Sequence, residues 1–267
     1  MTELTHELTA AAPARLLFDL VADVVEAPQY FPTHLHAEIV RTESAERDLV
    51  ARWVIDGGSP RGWRLWRVRD TENLLISFAH ETPRPPLTAM RGEWRFERLP
   101  DGGTRMRVRH SFDLADGTDP AAADKVARQL DDNVPRQLAG IARLAGSVEA
   151  LRRDTVTSVR TVRVKAPRDE VAARAAGTLP DGGAHWVCVE PAEGQLVFKR
   201  HTEPAPQLHA STGEFRFTEE EGGTTVRLRR SVTLAGPVSE EELRVARKQL
   251  DADVRDQLTD LAAAATD

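Results

Sequence analysis

Several residues in this 267-residue sequence are suited to moving protons or holding an oxyanion. In RMRVRHSF (105–112), alternation puts Met106, Val108, His110 and Phe112 on one face and Arg105, Arg107, Arg109 and Ser111 on the other, so the row with His110 points inward. An inward imidazole needs a hydrogen-bond partner, which makes His110 either a cavity group or a satisfied core histidine. His34 and His36 in PTHLHAE are i, i+2 neighbours and share a face. With an ordinary pKa of about 6.5 they suit proton transfer; the alternative is plain polar positions on an open face. No third ligand of recognised spacing accompanies them, so no metal site is read. In GWRLWRV (62–68), alternation gives the rows Trp63, Leu65, Arg67 and Arg64, Trp66, Val68. Both rows are mixed, and the pattern leaves the side of Arg67 open. Asn133 and Gln137 fall between Leu130 and Ile141 on a helical stripe and are expected to turn amides toward whatever that helix covers.

Strands are expected at 3–10, 34–44, 48–56, 61–70, 73–81, 90–99 and 104–114, separated by turn residues such as Gly57-Gly58 and Asp101-Gly102-Gly103. Pro13 fits the start of a short helix, where its missing N–H costs nothing. A long helix is expected from the Asp119-Pro120 pair onward, with Pro135 kinking or breaking it. An antiparallel sheet with that helix across one face is an α+β architecture.

The sequence repeats. GEWRFERLPDGGTRMRVRHSFDL (92–114) returns as GEFRFTEEEGGTTVRLRRSVTL (213–234), and QLDDNVPRQL (129–138) as QLDADVRDQL (249–258), both at an offset of 120 where their Gly-Gly-Thr and helix residues match. LTAAAPARLLFDL (8–20) matches VRVKAPRDEVAAR (162–174) at an offset of 154, so the second copy lacks about 34 residues, a short helix and two strands. The expected organisation is a complete domain over 1–147, a linker over 148–158 and a shortened, structural domain over 159–267. Four of five tryptophans and the single tyrosine lie in the first copy, which places any working cavity there.

Composition sets outer limits. The chain is 40% hydrophobic and 29% charged with a net charge of −6, which argues against a nucleic-acid or anionic-membrane partner. The opening MTELTHELTAAAP lacks a signal-peptide layout and no apolar run approaches bilayer length, so a cytoplasmic protein is expected. The single cysteine, Cys188, reads as packing.

The stretches AAPARLLFDLVADVVEAPQYFPTHLHAE (11–38), RGWRLWRVRD (61–70), PPLTAMRGEWRFERLPDGGTRMRVRHSFDL (85–114) and QLDDNVPRQL (129–138) resemble the two-domain aromatase/cyclases of bacterial type II polyketide synthases, within the wider superfamily of polyketide cyclases and START-like lipid-transfer proteins. The resemblance implies two helix-grip domains, each a curved antiparallel sheet wrapped around a long C-terminal helix, the first enclosing a substrate cavity. It implies first-ring aldol cyclisation and dehydrative aromatisation of a poly-β-ketone, tethered through phosphopantetheine to an acyl carrier protein, alongside other synthase components. It places Arg67 in the cavity, to polarise a ketone or hold an enolate, with His34 or His110 moving protons. Tyr30, Phe31, His36, Trp63, Leu65, Phe78, Met90, Trp94, Asn133 and Gln137 would line the pocket. Relatives often have serine two residues before the arginine, where Leu65 stands here. No organic cofactor or metal is implied, and Arg61, Arg64 and Arg84 are candidates for docking the acidic carrier. The rival reading is a noncatalytic START-like binder or chaperone of a hydrophobic polyketide or lipid.

Overall fold

A computed structural model describes residues 1–179, 183, 185–201 and 207–263. In chain order the elements are β1 (Thr2–Ala10), α1 (Ala14–Ala22), α2 (Ala27–Tyr30), β2 (His34–Thr42), β3 (Arg47–Asp56), β4 (Ser59–Asp70), β5 (Leu75–His80), β6 (Leu87–Arg98), β7 (Thr104–Leu114), α3 (Pro120–Ala145), α4 (Val148–Arg153), β8 (Thr155–Val164), α5 (Arg168–Ala175), a 3-10 turn (Ala176–Thr178), β9 (Trp186–Val189), β10 (Gln195–Arg200), β11 (Leu208–Glu220), β12 (Gly223–Leu234) and α6 (Glu240–Ala263). One sheet has seven strands in the order β1-β7-β6-β5-β4-β3-β2; the other has five, β8-β12-β11-β10-β9. The five match the first five of the seven in order, and among the described residues the strands without a counterpart are β2 and β3. That is the gap the repeat offsets require.

Local chemistry sets the element ends. Pro13, with no N–H to leave unpaired, opens α1, and its carbonyl accepts from the Leu17 N–H. Asp119 caps α3 by accepting from the Ala121 N–H at 2.9 Å, and Pro120 takes the first turn. Pro135 stands inside α3 without ending it. In the β3–β4 hairpin Gly57 and Gly58 both have positive φ, 57° and 82°, the conformation a two-residue turn demands. One device recurs in both copies. The Thr104 hydroxyl donates to the Ala12 carbonyl at 2.6 Å, and the Thr224 hydroxyl to the Ala166 carbonyl at 2.8 Å. In each case the start of a central strand is tied to the residue before the helix-opening proline.

Two compact units result. The first contains Met1–Ala27, Ala37–Trp53 and Gly62–Val148; the second contains Pro28–His36, Val54–Arg61 and residues from Glu149 onward. The long segments part between Val148 and Glu149, while Pro28–His36 and Val54–Arg61 group with the second unit. Inside the second unit, the fully buried Lys199 ammonium donates to the carbonyls of Pro28, Phe31 and His34 at 2.7, 2.6 and 2.8 Å. Gln29 bonds Thr212 and Thr233, and the Tyr30 hydroxyl accepts from Arg152. Residues 148–158, expected as the linker, form α4 and the start of β8, and Val148 and Val156 are buried. The second unit's core is Val156, Val171, Phe198, Phe215, Leu228, Val254 and their neighbours, with Cys188 packed against it.

Candidate active site

Cross-strand pairing defines one rung on the inward face of the first sheet. Arg67 of β4 faces Phe78 of β5, Phe78 faces Gly92 of β6, Gly92 faces His110 of β7, and His110 faces Leu4 of β1. Directly opposed residues share a face. The face is inward because Leu65, on the Arg67 row, packs with Val24, Ala37 and Val50, and with the partly buried Trp63 and Phe78. Phe78 lies over Gly92 so closely that a side chain at 92 would meet its ring and the Arg109 carbonyl, so only glycine fits that rung.

Arg67 is 4% exposed, and its guanidinium is not a bare cation. Nε and Nη2 donate to Asp48 at 2.9 and 2.8 Å, a bidentate ion pair with a carboxylate that is wholly buried. Nη1 donates to the Ala22 carbonyl at the end of α1 at 2.9 Å. Three of the five guanidinium N–H groups are thereby engaged, and the other two have no hydrogen-bond partner among the described residues. Arg69 also reaches Asp48, at 3.3 Å. Asp48 was missed in the sequence, yet a signal exists. Eight residues back from Asp56 and eight forward from Ser59, across the Gly57-Gly58 turn, bring Asp48 opposite Arg67. The same count sets Arg52 opposite Trp63. Burial, and then the nearby Arg67 cation, push the Arg52 guanidinium down to about 10.

His110 lies edge-on to Phe78, ring centroids 5.4 Å apart, and is buried. Its Nδ1 is enclosed with no hydrogen-bond partner among the described residues. Burial, with His6 and His80 adding repulsion, pushes it down to about 4, and the ring is neutral near pH 7. Trp63 stacks flat on His80, centroids 6.1 Å apart. Arg52, Trp63, Phe78 and His80 are only partly buried, so solvent reaches this end of the inward face.

Leu65, Met90 and Trp94 are buried on that same face, Trp94 stacking on Phe96. Two other groups of expected residues lie elsewhere. Asn133 is exposed and accepts from Arg136, because the buried stripe of α3 runs through Val134, Leu138, Ile141 and Leu144; Gln137 borders it. On β2, Leu35 and Ala37 take the inward side, which leaves His34 and His36 on the other. Tyr30 and Phe31 belong to the second unit, where the Tyr30 carbonyl is bonded by His209 and Phe31 packs on His34.

On the outward face a depression of about 450 Å³ is lined by Arg47, Trp66, Val68, Arg91, Arg109 and neighbouring side chains. Arg61 and Arg84, expected to dock a partner, bond Asp56 and the Gly62 carbonyl, and Arg64 lies 3.7 Å from Glu81. Among the described residues no group of three His, Cys, Asp or Glu side chains is placed to hold a metal, and no helix is long and apolar enough to cross a membrane.

Residues 10–139 match the family model described as polyketide cyclase / dehydrase and lipid transport. A granaticin polyketide synthase bifunctional cyclase/dehydratase of Streptomyces violaceoruber is 40% identical over 141 residues, 52% of this chain and 43% of that protein. A putative polyketide cyclase of Streptomyces halstedii is 31% identical over 98 residues, 36% of this chain and 89% of that protein. The chain thus spans about half the length of the bifunctional curated relatives it matches, 43% of the granaticin protein and 51% of an actinorhodin counterpart from Streptomyces coelicolor. Among solved structures, the di-domain ARO/CYC BexL from the BE-7585A biosynthetic pathway aligns with 99% of both chains at TM-score 0.73 and 25% identity, and the di-domain ARO/CYC StfQ from the steffimycin pathway with 98% of both at 0.69 and 26%.

Proposed function

Because this chain belongs to the polyketide cyclase/dehydrase and lipid transport family, we propose that it is an aromatase/cyclase, which closes the first ring of a poly-β-ketone by aldol addition and removes water to aromatise it. The observation that carries this reading is Arg67: an inward guanidinium, sealed from solvent, held rigid by Asp48 and the Ala22 carbonyl, with two N–H groups left to bind a ketone oxygen. Both reacting carbons belong to the substrate. The protein's work is therefore to fold a flexible chain and stabilise the oxyanion, and positioning of this kind accounts for several kcal/mol of a barrier. Trp63, Phe78 and Met90 supply apolar walls, and the neutral His110 donates a hydrogen bond to a second carbonyl farther along the chain. An acyl carrier protein, delivering the ketide on its phosphopantetheine arm, is the partner this chemistry requires.

One observation favours a noncatalytic binder. Asp48 neutralises Arg67, and Leu65 brings no hydroxyl to its side. Incubation with a minimal polyketide synthase separates the two readings. A product pattern shifted to one first-ring regiochemistry supports catalysis. Unchanged shunt products, together with retained binding of an unreactive ketide mimic, overturn it in favour of the binder. In the catalytic case the double variant Arg67→Met, Asp48→Leu, which removes both buried charges together, is expected to bind the mimic and lose about 100-fold or more in ring-closure rate.

A further inference from the structure

The inward row of β5 ends in an imidazole, His80. His80 is the cross-strand partner of Leu65, so both side chains leave the same face. Its ring lies 3° from parallel with Trp63, which fixes the imidazole plane on that face. Arg67 stands opposite Phe78, two residues from His80, which makes His80 a diagonal neighbour of Arg67, about 7–8 Å away at the backbone. His110 is three strands from Arg67 along the rung, about 14 Å at ordinary strand spacing. A guanidinium on one oxygen and a base on the adjacent carbon must lie on neighbouring positions, and of the inward histidines His80 meets that condition and His110 does not. His80 also keeps partial exposure, so protons exchange with solvent.

We infer that His80 is the proton-transfer residue that works with Arg67 in ring closure, in place of His34 or His110; the inference rests on the aromatase/cyclase reading above. The imidazole takes a proton from the methylene carbon, and the C–H electron pair becomes an enolate whose oxygen Arg67 holds. That pair forms the new C–C bond at the ketone carbon, the C=O π pair moves onto its oxygen, and the alkoxide takes the proton back from the imidazolium. Atoms and charge balance without a co-reactant. The ionisable groups on the same face include Arg67 on β4, Asp48 and Arg52 on β3, His6 on β1, and His110 on β7, whose ring feels the His80 charge.

The test uses the full chain with a minimal polyketide synthase, comparing wild type with His80→Phe, which keeps the stack on Trp63, and His80→Gln. Expected is a loss of about 100-fold in single-turnover ring closure, binding of an unreactive ketide mimic within about threefold, and loss of the acid limb of the wild-type pH–rate profile. The transposed variant Leu65→His, His80→Leu, which moves the imidazole to the opposing strand, should recover part of the rate; a merely structural histidine would not be rescued this way. If His80→Phe unfolds, His80→Gln decides. Closure at the wild-type rate with an unchanged pH profile overturns the assignment. A wild-type protein that leaves the product pattern unaltered overturns the aromatase/cyclase reading itself, and this inference with it.

Discussion

The two sheets carry the same rung with different ends. In the first unit it reads Arg67, Phe78, Gly92, His110, Leu4; in the second, Cys188, Phe198, Gly213, Arg230, Ser158. The middle pair is retained. Phe198 covers Gly213 as Phe78 covers Gly92, which shows that a phenylalanine laid over a glycine is how this sheet packs its bend. The ends are exchanged. Where Arg67 stands the second copy has a cysteine packed on its core, and where His110 stands it has Arg230, buried with its guanidinium 5.8 Å from the Trp186 ring. The strand that supplies Asp48 has no counterpart there among the described residues. What repeats is therefore scaffold, and what differs is chemistry.

The largest expected effect tests the claim that Asp48 separates the two ends. Asp48→Ala leaves Arg67 buried without its counterion and should destabilise the first unit by about 3–5 kcal/mol. Cys188→Ala, on the equivalent rung, should cost less than about 2 kcal/mol, since a small apolar side chain is trimmed at a half-buried position. Peptide-resolved hydrogen exchange under mild denaturant reads each unit by itself; equal losses would erase the distinction. Next comes Lys199, whose position in the first sheet is held by Ala79. Burial pushes its ammonium down to about 7, yet three carbonyls accept from it. Lys199→Met removes every donor and should cost about 3 kcal/mol through unsatisfied carbonyls, with faster exchange concentrated at residues 28–36. An unchanged exchange pattern there would show that the clamp contributes nothing.

The His110 end adds a pH dependence that the Arg230 end lacks. The folded-state value of about 4 lies below the ordinary 6.5, so the native unit binds fewer protons than the unfolded chain. Its stabilisation is complete above about 6.5 and declines as pH falls toward about 4, by about 2 kcal/mol at pH 5. Hydrogen exchange of the first sheet at pH 7 and pH 5 should show this loss, and His110→Leu should remove it. A loss of equal size in the variant would assign the effect to other groups.

Legibility followed the range of the signal. The inward row of β7, the Pro13 start of α1 and the Asp119 cap of α3 rest on neighbours a few residues apart, and the sequence carried them, as did the missing strands of the second copy. Asn133 lies off the packed stripe because Leu130 and Ile141 only bracket it, while packing is centred one step away on Val134 and Leu138. Asp48 looked like one more charge until the two-residue turn is counted out. Residues 28–36 read as part of the first copy because they are contiguous with it. Their partners, Lys199, Thr212 and His209, are more than 160 residues distant, and no local pattern encodes such pairing.

The smallest effect bears on the shared middle of the rung. Gly92→Ala and Gly213→Ala each set a methyl group against the phenylalanine ring above it, and a packed ring has little room to retreat. Overpacking of this kind costs about 1–2 kcal/mol, and if the rung is one device used twice both variants should pay it, Gly92→Ala the more because its methyl group also meets the Arg109 carbonyl. Leucine in place of the covering ring should relieve most of the penalty at Gly213 as Phe198→Leu, and only its ring part at Gly92 as Phe78→Leu, where the Arg109 carbonyl still meets the methyl group, which thermal unfolding followed by unit-resolved exchange will read. A penalty in one sheet alone would mean that the phenylalanine–glycine pair has been kept in the two copies for separate reasons, with Phe78 retained to wall the substrate path and Phe198 only to fill a core.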